Sequence, residues 1–123
     1  MSNGSPRHHL IDYIEIYVTD LPSAKAFYGG AFGWTFADYG PAYAGIVGDD
    51  QEMGGLCAAE EVRPGGPLVV LFSNDLESTL ASVRGAGGRI TKEIFDFPGG
   101  RRFHFADPSG NELAVWAPVH EKP

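Results

Sequence analysis

The chain nearly repeats itself once, at an offset of 55 residues, and that repeat limits the folds open to it. Asp20, Leu21, Ser23, Ala26, Gly30, Ala31 and Gly33 recur as Asp75, Leu76, Ser78, Ala81, Gly85, Ala86 and Gly88, seven identities in a gap-free window of fourteen. A repeat of this period marks a supersecondary unit that cannot bury its apolar face alone. Two copies suit a duplicated module better than a solenoid. At 123 residues, 43% apolar and 20% charged, the chain reads as one ordinary globular domain. Either half alone would hold only a marginal core.

The residues around the repeat give each half the same order. Residues 11–18 (IDYIEIYV) alternate, with Ile14, Ile16 and Val18 on one side and Tyr13, Glu15 and Tyr17 on the other, which predicts a half-buried strand. Asp20 suits an N-cap and Pro22 a first helical turn. The helix continues through Ala24, Ala26, Phe27 and Ala31, and Gly29, Gly30 and Gly33 weaken and end it. Phe27, Tyr28, Phe32 and Trp34 are expected in the helix–sheet core. Strands are expected over 34–39, 43–47 and 53–58, with a turn at Gly48, Asp49 and Asp50. Residues 62–67 (VRPGGP) punctuate the chain. Strand 68–72, helix 76–86 capped by Asp75, and strands 89–95, 102–106 and 113–116 then follow, with a β-turn at Asp107-Pro108-Ser109-Gly110 and a hairpin turn at Gly99–Gly100. Each half is β-α-β-β-β. One helix cannot cover both faces of four strands, so the other face must meet its counterpart or enclose a cavity.

Composition excludes several classes. A net charge of −7 argues against nucleic acid, and Arg101–Arg102 is too short to make a basic stripe. No apolar run approaches a membrane span. Residues 1–9 lack an apolar signal-peptide core, which predicts a cytoplasmic protein with a loose tail at 1–9 and a second tail at 119–123. His8, His9 and His120 read as solvated tail residues. The single Cys57 reads as a small core residue with no disulfide partner. The glycine pairs at 54–55, 65–66 and 99–100 lack the Lys and the strand-to-helix setting of a phosphate loop.

The segments VTDLPSAKAFYGGAFGW (18–34), NDLESTLASVRGAGGRI (74–90) and FADPSGNELAVW (105–116) resemble the vicinal oxygen chelate superfamily of glyoxalase I, bleomycin-resistance proteins and extradiol dioxygenases. FPGGRR at 97–102 is similar to its glyoxalase-related branch. The resemblance covers residues 10–118 and implies an α+β fold of two βαβββ modules in pseudo-two-fold arrangement, with curled sheets enclosing a cavity, often built across a homodimer. Module one would span 10–60, a linker 61–66 and module two 67–118. The resemblance also implies that metal-dependent members carry His, Gln or Glu on the cavity face of the first and last strand of each module. Those positions fall on Tyr13, Leu68, Ala114 and a fourth near Gly54–Leu56. Leu68 and Ala114 cannot bind a metal, and Tyr13 is a poor ligand unless ionised.

If Tyr13 and Ala114 face inward, strand alternation brings Glu15, Tyr17, Glu112 and Trp116 with them, while Phe103 and Phe105 turn to the helix and leave Arg102 and His104 toward the cavity. Tyr13, Glu15, Tyr17, Arg102, His104, Glu112 and Trp116 are therefore the candidate ligand-binding residues, with no metal, no cofactor and no assigned catalytic residue. Glu15 reads as a buried acid or as a carboxylate paired with Arg102 or another inward polar group. His104 reads as a base or anion partner, or as a hydrogen-bonded wall residue. The leading reading is metal-free binding of a small organic molecule by a homodimer. The alternatives are a metal-dependent lyase, isomerase or dioxygenase with a metal site rebuilt from Glu15, His104 and Glu112, and a fold kept as an interaction domain.

Overall fold

The computed structural model describes residues 7–49, 51–62 and 64–119. Its elements run β1 (Ile11–Val18), α1 (Leu21–Phe32), β2 (Thr35–Asp38), β3 (Tyr43–Val47), β4 (Glu52–Ala58), β5 (Leu68–Phe72), α2 (Leu76–Gly85), β6 (Arg89–Phe97), β7 (Gly100–Ala106) and β8 (Glu112–Ala117). The expected turn residue Asp50, most of the expected tail at 1–9 and His120 lie outside the described residues. The fold is mixed α+β, and the chain divides into two compact units. One holds residues 13–67, and the other holds the second half together with 7–12.

The first unit orders its strands β2-β3-β4-β1, antiparallel except that β4 runs parallel to β1. The second orders them β6-β7-β8-β5 with the same pattern. The shared order follows from the repeated residues, which sit where a helix is started and anchored. Asp20 and Asp75 are extended, and their carboxylates accept from the Ser23 and Ser78 amides at 3.3 and 3.1 Å. Leu21 and Leu76, just after the caps, are buried. Gly33 closes α1 with φ +74, a left-handed conformation that glycine adopts without the Cβ penalty.

Each helix covers one face of its sheet. Under α1 lie Leu21, Ala44, Ile46 and Leu56, flanked by Ile16, Val18, Tyr28 and Trp34. Under α2 lie Leu76, Leu80, Phe103, Val115 and Ala117, flanked by Ile90, Ile94 and Phe105. Tyr28 and Trp34 stack at 4.8 Å and join the first core, but Phe27 and Phe32 are 58% and 64% exposed. The expectation that all four rings pack inward fails on helical geometry. Leu21, Ala24 and Tyr28 share the inward stripe, Phe27 stands about 100° from it, and Phe32 ends the helix.

The hairpin turn falls at Pro98–Gly99, one residue earlier than expected. Gly100 is already paired with Phe97, and it is glycine because a Cβ there would collide with the Ala117 carbonyl. Residues 7–9 are exposed yet engaged with the second unit. The His9 amide donates to Phe72 O at 2.6 Å, its Nε2 lies 2.9 Å from Thr79 Oγ1, and the Asn74 amide donates to His8 Nδ1 at 2.8 Å. Among the described residues no helix is long and apolar enough to cross a membrane.

Truncating the fully buried Phe103 to Ala should cost about 3–5 kcal/mol by leaving a cavity. Val62→Ala, at a loop position 63% exposed, should stay within about 0.5 kcal/mol. Urea unfolding of the two variants separates these outcomes.

Candidate functional site

In the first unit the candidate face is the one α1 leaves uncovered. Ile16 and Val18 point to the helix, so Tyr13, Glu15 and Tyr17 emerge on the other side of β1. Glu15 lies opposite Gly55 of β4, which lies opposite Gly45 of β3. These two glycines clear the space above them. A Cβ at Gly55 would strike the Tyr43 ring, and one at Gly45 would come within 2.6 Å of the Glu52 carboxylate. Tyr43 therefore lies over Gly55, where its hydroxyl donates to Glu15 at 3.2 Å and shares a 2.7 Å hydrogen bond with Tyr13. Tyr17 donates to Glu15 at 3.5 Å, the Tyr13 hydroxyl lies 3.4 Å from the Glu52 carboxylate, and Tyr39 donates to Glu52.

Burial, helped by the neighbouring carboxylates, pushes the Tyr13 and Tyr43 hydroxyls far above the ordinary 10.0. Both stay protonated. Glu15 is only 6% exposed, and phenol hydroxyls are among its partners. Cys57, expected in the core, is half-buried on this same face between Tyr17 and Tyr43, because alternation gives the helix side to Leu56. Sequence reasoning missed Tyr39, Tyr43 and Glu52. The available signal was the glycines inside strands, which mark close approach by another group.

The open face of the second unit is built on β6, β7 and β8. The pairs Arg102–Trp116, His104–Ala114 and Ala106–Glu112 place Arg102, His104, Glu112 and Trp116 opposite the Phe103 core. Arg102 Nε donates to His104 Nε2 at 3.2 Å, so Nε2 is the bare nitrogen. Nδ1 then carries the proton and donates to Glu112 Oε2 at 3.2 Å, which also accepts from Thr91 at 3.1 Å. His104 is 4% exposed, and burial, followed by the Arg102 charge, holds it below its ordinary 6.5 against the opposing pull of Glu112. The Arg102 guanidinium stands 5.9 Å from the Phe95 ring and 5.7 Å from that of Phe97. Phe97 meets Trp116 at 6.3 Å, and the Trp116 indole N–H donates to Asp12 at 2.9 Å. Phe95, Phe97, Thr91 and Asp12 were missed. Ile90 and Ile94 on the helix side offered the alternation that would have found the two rings, although register shifts in β6 blur it.

A family model described as the Glyoxalase/Bleomycin resistance protein/Dioxygenase superfamily matches residues 10–115. The chain belongs to this superfamily. It is 31% identical over 117 residues to the anthracycline biosynthesis protein DauV of Streptomyces sp. (strain C5), covering 79% of this chain and 42% of that protein. It spans less than half the length of the curated relatives it matches. Among solved structures, the Mn(II)-bound glyoxalase from Novosphingobium aromaticivorans matches with a TM-score of 0.69 at 26% identity, over 94% of this chain and 40% of that one. Methylmalonyl-CoA epimerase from Mycobacterium tuberculosis shares the fold with a TM-score of 0.71 at 17% identity, over 98% and 97%.

The superfamily's metal positions can be tested on this register. Tyr13 and Leu68, and Glu15 and Val70, correspond through the offset of 55. Glu15 pairs with Gly55 and Val70 with Ala114, so the counterpart of Ala114 is Gly55. Leu68, Ala114 and Gly55 offer no donor side chain, and the Tyr13 phenol is held neutral. At none of these positions does the residue present suit a metal ion. In the rebuilt alternative, both ring nitrogens of His104 are already engaged, and among the described residues no group of three or more His, Cys, Asp and Glu side chains could hold an ion.

Because His104 is neutral in the fold, the unfolded chain binds its proton first as pH falls below 6.5. Stability should therefore drop from pH 7 toward pH 5, a window separate from that of Asp107, whose carboxyl is held below 3.8 mainly by the Asn111 side chain. His104→Gln should flatten the drop. Melting temperature against pH for both proteins checks this, and an unchanged slope would contradict it.

Proposed function

We propose that this superfamily member binds a small organic molecule without a metal, on the open sheet face of the second unit that carries Arg102, His104, Glu112 and Trp116, with the face of Tyr13, Glu15 and Tyr17 as a separate candidate surface on the first unit. The observation that carries the reading is the loss of donors at Leu68, Ala114 and Gly55, on faces that keep aromatic rings and a few polar handles. That mixture suits an organic ligand oriented by one or two polar groups. The likeness to a protein of anthracycline biosynthesis supports an organic ligand, and the net charge of −7 speaks against nucleic acid.

Protein purified without chelators should contain only sub-stoichiometric metal by mass spectrometry, and EDTA should leave its melting temperature unchanged. Stoichiometric zinc, nickel, iron or manganese in that protein would overturn the proposal. So would glyoxalase activity that a chelator abolishes.

The proposal extends to a homodimer. The exposed Phe27 and Phe32 rings and the edge strands β2 and β6 are groups that monomers ordinarily shield. Sedimentation at micromolar concentration should show a dimer, with an interface on the order of 1,600 Å² in total. A single species of protomer mass would refute it.

A further inference from the structure

We infer that Arg102 is the handle for a flat aromatic carboxylate, that Phe95, Phe97 and Trp116 form its apolar seat, and that His104 with Glu112 holds the guanidinium in place. This rests on the organic-ligand reading above and names the ligand class. An arginine carries five N–H donors in a planar fork that matches a carboxylate two-for-two, which a lysine cannot do. Here the fork is oriented before any ligand arrives. The guanidinium carbon lies 5.9 and 5.7 Å from the centroids of the Phe95 and Phe97 rings, and the Nε–H is directed at His104 Nε2. Phe97 continues into Trp116, so an aromatic body beside the carboxylate meets ring surface rather than polar groups.

His104 is a positioning residue in this arrangement. Its Nε2 can accept from Arg102 only while the ring is neutral, and Glu112 fixes that tautomer by taking the Nδ1 proton. The charged groups facing His104 are Arg102 on its own strand, Lys92 on β6 and Glu112 on β8. Protonation would turn Nε2 into a donor facing a cation and release the fork. The net charge of −7 does not forbid an anion here, since exposed charges are screened beyond about 8 Å at physiological ionic strength, whereas Arg102 and Lys92 both lie near the Phe95 ring.

Calorimetric titration with 2-naphthoate, its neutral amide and 2-naphthylmethylammonium tests the inference. Naphthoate should bind, and the amide and the ammonium should be weaker by about tenfold or more. Arg102→Met should erase the preference, and Arg102→Lys should restore little of it. His104→Leu should weaken naphthoate binding. His104→Gln, whose amide oxygen can accept from Arg102, should keep the binding but lose the decline expected of the wild type as acid protonates His104, which burial holds below its ordinary range. Circular dichroism of each variant confirms folding. Equal affinity for the three probes, or unchanged binding in a folded His104→Leu, would overturn this inference and leave organic-ligand binding standing. Failure of all three probes would overturn both.

Discussion

A four-stranded sheet with one helix has one covered face and one open face, and everything chemical in this protein follows from which residues are sent to each. Burying a side chain the size of Phe103, Leu56 or Val115 contributes about 1.5–3 kcal/mol apiece, so the register that puts them under the helices is strongly held. The same register sends Arg102 and His104 the other way. A slip by one residue would place a guanidinium under α2 and Phe103 on the open face. The geometry of the polar groups is thus inherited from the apolar ones and needs no separate device.

The two units share topology but not chemistry. The repeated residues fall at helix caps and helix anchors, where Asp20 matches Asp75 and Leu21 matches Leu76. The open faces diverge. Tyr13, Glu15 and Tyr17 of β1 correspond to Leu68, Val70 and Phe72 of β5. One face became a row of phenols and carboxylates. The other became an imidazole and a guanidinium set among rings.

How far the sequence could be read depended on how local the determining physics was. Caps, strand alternation and the Asp107 turn act over a few residues, and the element order and strand faces were legible from them. The superfamily was legible from the segments at 18–34, 74–90 and 105–116. What escaped reading required knowing which residues lie opposite one another. The engagement of Glu52 and Tyr43 with β1 depends on the pairing of β1 with β4 and of β4 with β3, none of which the sequence states. The exposure of Phe27 is a matter of helical phase within an all-round apolar stretch, and composition hides it. The break in β6 register near Lys92 has no clear marker in its residues, so Phe95 and Phe97 went unnoticed as neighbours of Arg102.

The close approach of Tyr43 over Gly55 has a consequence for proton bookkeeping. Glu15, Tyr43, Tyr13 and Glu52 form a row with two phenolic protons between its carboxylate ends. The bond shared by Tyr13 and Tyr43 can point only one way at a time. If Tyr43 donates to Glu15, Tyr13 must donate to Tyr43 and turn its proton from Glu52. If Tyr13 donates to Glu52, Tyr43 donates to Tyr13 and turns its proton from Glu15. The row therefore has two polarities, and a charge brought to one end acts on the other without any heavy atom moving. Replacing the hydrogen on the Gly55 α-carbon with a methyl group would push Tyr43 aside and cut that row at its middle.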